Sequence, residues 1–333
     1  MNLKLLALLA AVGMVALDVS SANAGVIITH SSGNIGLGVN EEGHLNLFGG
    51  PGIPPSAAGT AAYGLRDLRT GFEATAPGCL CEGWGISNGI NGWTASVDTG
   101  GVSVALVSFV SGANAATSVS NAGGIFEVTH AFQPSASPDL MEVVVTITNI
   151  SGAPVANTLY RRGMDWDIEP TAFSEYVTIG GTAAATAVIK ATDNGFCSVN
   201  PLNFCGSIVA GGIGDFVDLG PADHGANFDF NFGALGSGES VSFSIFYGAS
   251  LSEVGAFNAL NAVGAEVYSL GQSVDDPAGV RPGYATFIFG FKGVGGVVVP
   301  PGIPEPGTWA MLIAGFGMVG FAARRRRTAI AAA

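Results

Sequence analysis

Between residues 126 and 291, apolar and polar side chains alternate with a period of two, segment after segment. Val143, Val145 and Ile147 stand opposite Glu142, Thr146 and Thr148. Phe228, Phe230 and Phe232 alternate with Asp229 and Asn231, Val241, Phe243 and Ile245 alternate with serines, and Phe287, Phe289 and Phe291 share one face of a fourth segment. Successive side chains of a strand point to opposite faces, so each segment reads as a strand with one buried and one solvated side. Such strands belong to antiparallel sheets, and the Gly-, Asn- and Pro-rich breaks between them, such as residues 149–154, have the length of turns. The expected fold is all-β, an antiparallel β-sandwich over residues 25–292. One stretch departs from this period: over residues 252–270, Val254, Phe257, Leu260, Val263 and Val267 recur at helical spacing behind a capping Ser252. It predicts one covering helix, across a sheet edge or an end of the sandwich.

Charge narrows the function classes. Between residues 25 and 303 there are 23 acids against 7 bases. A body this acidic disfavours phosphate backbones and anionic lipid, and it carries no cluster of Lys and Arg with interleaved aromatics, so nucleic acid is not an expected partner. Only 11% of residues are charged and 51 are glycine, a profile that suits a turn-rich exported β-protein.

Both ends of the chain read as addresses. Residues 1–24 combine Lys4, an apolar run over residues 5–17 and the small-x-small site Ala22-Asn23-Ala24. This is the pattern of a signal peptide cleaved before Gly25, with export through the Sec machinery. At the other end, residues 293–303 form a Gly/Pro linker expected to hold the C-terminal segment clear of the fold. Pro304-Glu305-Pro306 then keeps the backbone extended with Glu305 displayed between two rigid residues. Residues 308–323 are an uncharged stretch expected to form a single transmembrane helix, with Trp309 at one interface, and Arg324, Arg325, Arg326 and Arg327 place the C-terminus on the cytoplasmic side.

This tail resembles the PEP-CTERM sorting signal read by exosortases: Pro-Glu-Pro, a nearby Trp-Ala-Met, an apolar helix and an arginine-rich end, in that order. The resemblance covers residues 303–327. It implies a Gram-negative host, recognition of residues 304–306 by a membrane-embedded cysteine peptidase, transient anchoring in the inner membrane, and delivery to the outer envelope or an exopolysaccharide matrix. Residues 124–177 resemble, more loosely, β-sandwich segments of carbohydrate-associated bacterial surface proteins, and that likeness brings no site residue with it.

Four cysteines in an exported chain permit two disulfides. Cys197 and Cys205 read as a local loop staple; Cys79 and Cys81 then bridge each other or stay reduced, and pairing across the two segments is the alternative. A metal site built on the cysteines lacks the Cys-x2-Cys rhythm of zinc sites.

Three further groups of residues carry candidate chemistry. Asp165, Asp167 and Glu169 alternate with Met164, Trp166 and Ile168, so a strand places three carboxylates on one face, a hard-oxygen surface suited to calcium. The competing reading is a solvated strand face, or carboxylates paired with Arg161 and Arg162. Trp84 and Trp93 sit in glycine-rich segments where an indole serves as a saccharide contact, against core packing as the simpler role. Among the histidines, His130 shares its face with Phe126, Val128 and Phe132 and reads as a core residue. Asp223-His224 has the order of an orienter and base but lacks a Gly-x-Ser-x-Gly elbow, and reads as a turn capped by Asp223. No catalytic residue is nominated and no cofactor is expected beyond calcium. The expected function is a structural or adhesive role at the surface or in an exopolysaccharide matrix, without enzymatic activity. A carbohydrate-binding module is the alternative and a secreted carbohydrate-active enzyme the second.

Overall fold

The computed structural model describes residues 25–302, together with residues 316 and 318. The signal peptide and its cleavage residues Ala22 and Ala24, the Pro-Glu-Pro tripeptide, the apolar helix and the arginine cluster all lie outside the described residues. Among the described residues no helix is long and apolar enough to cross a membrane.

Within residues 25–302, seventeen strands and one α-helix succeed one another. The first seven strands are β1 (Gly25–Thr29), β2 (Ile35–Asn40), β3 (Leu65–Asp67), β4 (Gly83–Ser87), β5 (Gly92–Ser96), β6 (Ala105–Ser111) and β7 (Ala116–Ala122). Next come β8 (Phe126–Pro134), β9 (Leu140–Asn149), β10 (Leu159–Trp166), β11 (Glu175–Gly180), β12 (Val188–Thr192), β13 (Phe216–Ala222) and β14 (His224–Asn231). The chain closes with β15 (Ser240–Ser250), helix α1 (Glu253–Val263), β16 (Val267–Ser273) and β17 (Thr286–Lys292). They assemble into a three-stranded sheet in the order β1-β2-β3, a five-stranded sheet β12-β14-β10-β4-β5, and a nine-stranded sheet β13-β11-β16-β17-β15-β9-β8-β7-β6. Every pairing is antiparallel.

The two larger sheets face each other across an aromatic core. Phe228 of β14 packs edge-on against Phe289 and Phe291 of β17, with ring centroids 5.6 and 4.9 Å apart, and Tyr160 of β10 meets Phe243 of β15 at 5.1 Å. The phenylalanines among them are positions that the period-two pattern puts on one side of each strand. Burying each phenylalanine contributes about 1.5–3 kcal/mol, so the stacked rings dominate the cohesion of the two sheets. The three-stranded sheet and its loops close over the pair: Trp84 Nε1 donates to Glu42 O at 2.8 Å, and Ser118 Oγ donates to Glu41 O at 2.5 Å.

Helix α1 begins as expected, with the Ser252 side chain accepting from Gly255 N at 3.1 Å, but ends earlier. Gly264 adopts a left-handed conformation (φ 71°), which glycine takes without steric cost, and terminates the helix at Val263. Val267, the last of the apolar residues read at helical spacing within the expected helix over residues 252–270, instead begins β16. The buried face is Ala256, Ala259, Leu260 and Val263. It rests on Leu140, Phe246, Leu270 and Ile288, the outward-pointing residues of the nine-stranded sheet. The helix therefore covers the outer face of that sheet, not an edge or an end, because these strands carry apolar side chains on both faces.

Residues 293–302 do not stand clear of the body. The Glu266 carboxylate accepts from Gly293 N, Val294 N and Gly296 N at 2.9–3.1 Å. Val299 is buried against α1 and donates to Ala265 O, and Gly302 N donates to Asn258 Oδ1 at 3.1 Å. The expected linker is a docked strap, since its valines and free backbone amides find partners along α1 and the start of β16.

Candidate metal centre

The most unusual chemistry in the molecule lies where the chain passes between the two large sheets. Strand β10 ends at Trp166 in the five-stranded sheet, and the chain returns as β11 in the nine-stranded one. Nearby, β13 of the nine-stranded sheet passes through Asp223 directly into β14 of the five-stranded sheet. The ladder sets Asp165 opposite Gly225 and Trp166 opposite His224, which brings Asp223 beside the end of β10.

At this crossing Asp165, Asp167 and Asp223 converge, each presenting a carboxylate oxygen within 4.8 Å of the others. Asp165 and Asp167 share a face because they are two apart. The intervening Trp166 points into the core, where its Nε1 donates to Ser269 Oγ at 3.0 Å. Asp167 is fully buried, and neither of its carboxylate oxygens has a hydrogen-bond partner. Asp165 Oδ1 is also unpartnered, as is Oε2 of the adjacent Glu175, whose other oxygen accepts from Ile168 N at 3.2 Å. Asp223 is exposed and forms the solvent side of the group.

Burial pushes the carboxyl groups of Asp165 and Asp167 upward, and their mutual repulsion with Asp223 and Glu175 adds to it. Glu175 is pushed up to about 8, again chiefly by burial. None of the ion pairs among the described residues reaches these side chains. Arg161 is bound to Asp229, Nε to Oδ1 at 2.5 Å, and Arg162 to Glu82 at the same distance. Neither form of the competing reading, a solvated strand face or carboxylates paired with Arg161 and Arg162, describes these residues: the aspartates are buried and the arginines are engaged elsewhere.

Glu169 drops out of the expected trio. It lies three residues beyond the end of β10, where the chain runs beside residues 73–74 through Asp167 N to Ala74 O and Glu169 N to Glu73 O. Its carboxylate turns away to accept from Ser56 Oγ at 2.6 Å, from Thr60 Oγ1, and from Glu73 N at 2.9 Å. Strand parity placed it with the two aspartates, and the loss of strand geometry removed it. Asp223 replaces it, more than fifty residues away in sequence. The proximity of its neighbour His224 to the same crossing had no signature in local spacing.

The other candidate residues take different places in the fold. Trp84 is fully buried, stacked on Tyr160 at 6.1 Å between ring centroids and tilted against His130 at 4.7 Å, which leaves no face for a sugar. Trp93 is half-buried, packs on the same core and meets Phe126 edge-on at 6.5 Å. The two indoles share the inward side of adjacent strands and do not make a surface platform; their neighbours Gly85 and Gly92 lie against Val199 and Asn200 of the loop that Cys197 and Cys205 close.

Cys197 is bonded to Cys205 and Cys79 to Cys81, with Cα separations of 5.6 and 5.2 Å. The first bridge closes a loop whose Ser198 and Asn203 carbonyls accept from the Arg161 guanidinium at 2.6 and 3.0 Å, over the buried Arg161–Asp229 pair. The second lies against the acidic group, with Cys79 Sγ 3.5 Å from Asp165 Oδ2. His130 is buried with Nε2 3.0 Å from the Tyr160 hydroxyl. His224 is not in a turn capped by Asp223: it opens β14, buried, with Nδ1 3.1 Å from Asp193 Oδ2 and Nε2 3.3 Å from Glu175 O.

Comparison with known proteins gives the tail a firm identity. Residues 302–327 match the model of the PEP-CTERM protein-sorting motif. The chain thus carries the sorting motif of exosortase substrates, which implies export and membrane-anchored processing. No curated protein matches the sequence. Among solved structures, a protein from Escherichia coli K12 described as a "Putative aldose 1-epimerase" aligns over 84% of this chain and 95% of its own, at 12% identity and a TM-score of 0.29.

Proposed function

We propose that this protein is a surface or exopolysaccharide-matrix component with a structural or adhesive role, delivered by signal-peptide export and exosortase processing to the outer envelope. The sorting motif over residues 302–327 carries the reading. It begins where the strap ends on α1, so the β-rich body meets the processing site with almost no free spacer.

Mass spectrometry of the protein recovered from envelope and medium, comparing wild type with Glu305→Ala, tests delivery. The wild-type chain should end near residues 304–306, and the variant should keep its arginine tail in the membrane fraction. An intact tail in both overturns processing. For the role itself, isolated exopolysaccharide incubated with the purified protein should retain it without a change in polymer length. Shortened polymer would replace the structural reading with an enzymatic one, and saturable displacement by short oligosaccharides would replace it with a binding module.

A further inference from the structure

We propose that Asp165, Asp167 and Asp223 form a divalent-cation site of the hard, oxygen-ligated class, with calcium as its fitting occupant. Three observations carry it together. Oxygens of the three carboxylates lie within 4.8 Å of one another. Asp167 is wholly buried and both its oxygens lack any partner, a state unfavourable for an ionised group unless a cation or proton meets it. Asp223 is exposed at the rim, which gives an ion a way in.

Donor chemistry selects the class of ion. The three ligands are carboxylates, and Glu175 Oε2 stands by unpartnered. The sulfurs of Cys79 and Cys81 are joined to each other and offer no thiolate, while both nitrogens of His224 are occupied by Asp193 and the Glu175 carbonyl. That leaves no soft or imidazole donor for zinc or copper. Magnesium keeps most of its waters, and a buried, carboxylate-rich setting suits the more readily dehydrated calcium. Because Asp165 belongs to one large sheet and Asp223 joins that sheet to the other, an ion here ties the two sheets at one end. It would do so outside the cytoplasm, where calcium sites of modest affinity fill.

The test uses the exported protein, with its disulfides intact and freed of metal by chelator, titrated with calcium chloride by calorimetry and followed by thermal melting. Wild type should show one saturable site and a midpoint raised by roughly 5 °C, with a smaller response to magnesium. Asp167→Asn should abolish the response while its calcium-free midpoint stays near that of wild type, since it keeps the shape of the side chain and removes the ligand oxygens' capacity for charge. Asp223→Asn alters only an exposed residue and should weaken affinity by roughly 10-fold or more. No response of wild type at about 5 mM calcium, above the weak end of extracellular sites, overturns the proposal. So does an Asp167→Asn protein that responds like wild type, or binding of zinc alone and only after reduction, which would move the site to the cysteine thiolates.

Discussion

Arg162 and Glu82 meet side by side in the interior, Nε to Oε1 at 2.5 Å, both fully shielded from solvent. Their contacts join all three sheets. The same Glu82 oxygen accepts from the Tyr247 hydroxyl of the nine-stranded sheet at 2.7 Å, and its other oxygen accepts from Leu45 N beside the small sheet at 2.6 Å. Arg162 lies in the five-stranded sheet and donates to Gly43 O at 3.2 Å. Removing either partner leaves a buried charge without compensation. Glu82→Gln and Arg162→Met should each destabilise the fold by about 3–5 kcal/mol, read from urea midpoints. The double variant should lose clearly less than the sum, because the stranded charge disappears with its partner.

The disulfide between Cys197 and Cys205 holds the loop that caps Arg161. Replacing both cysteines by serine should cost about 2–3 kcal/mol. Amide exchange should rise in the loop first, then at β14 around Asp229, since the Arg161 donors that the loop satisfies would turn to water. Exchange that rises uniformly across the molecule would argue against this coupling.

Glu266 secures the strap through three backbone amides. Glu266→Ala should release residues 293–302 to limited proteolysis while leaving the sheets folded, at a cost of about 1–3 kcal/mol. Proteolysis followed by mass spectrometry locates the new cut. If exosortase requires the body close to the membrane, processing of this variant should also slow; unchanged processing would separate the two.

Two buried histidines make the fold sensitive to acid. Burial pushes His44 down to about 3 and His130 well below its ordinary range, and the nearby Arg162 charge lowers both further. The unfolded chain takes up protons near the ordinary histidine value of 6.5 that the folded chain refuses. Their contribution is therefore complete above that pH and is lost as pH falls toward about 3. Glu73 acts in the opposite sense: burial raises it to about 7, so its contribution is present below its unfolded value of 4.5 and is lost as pH rises through 7. Melting midpoints from about pH 7.5 to about pH 4.5 should fall less steeply with acid in His44→Asn and His130→Phe than in wild type, and more steeply in Glu73→Gln.

How far the molecule can be read from its residues depends on the range of the interaction involved. Alternation identified β8, β9, β15 and β17 and the inward side of each, because a strand's parity is a local property of backbone geometry. The same parity placed Asp165 and Asp167 together. It failed at Glu169, where the strand had already ended, and at Val267, where Gly264 had already stopped the helix.

The tail motif, the acidic body and the all-β class were determined by the sequence alone, since each depends on residue order or composition within one segment. Tertiary structure decided what fills the outer face of the nine-stranded sheet, that the glycine-rich strap is bound, that Trp84 is hidden, and that Asp223 completes the acidic group. Each of these depends on which distant strands become neighbours. Sheet register brings Asp165 opposite Gly225 across sixty residues of chain, and no periodicity within either segment records that meeting.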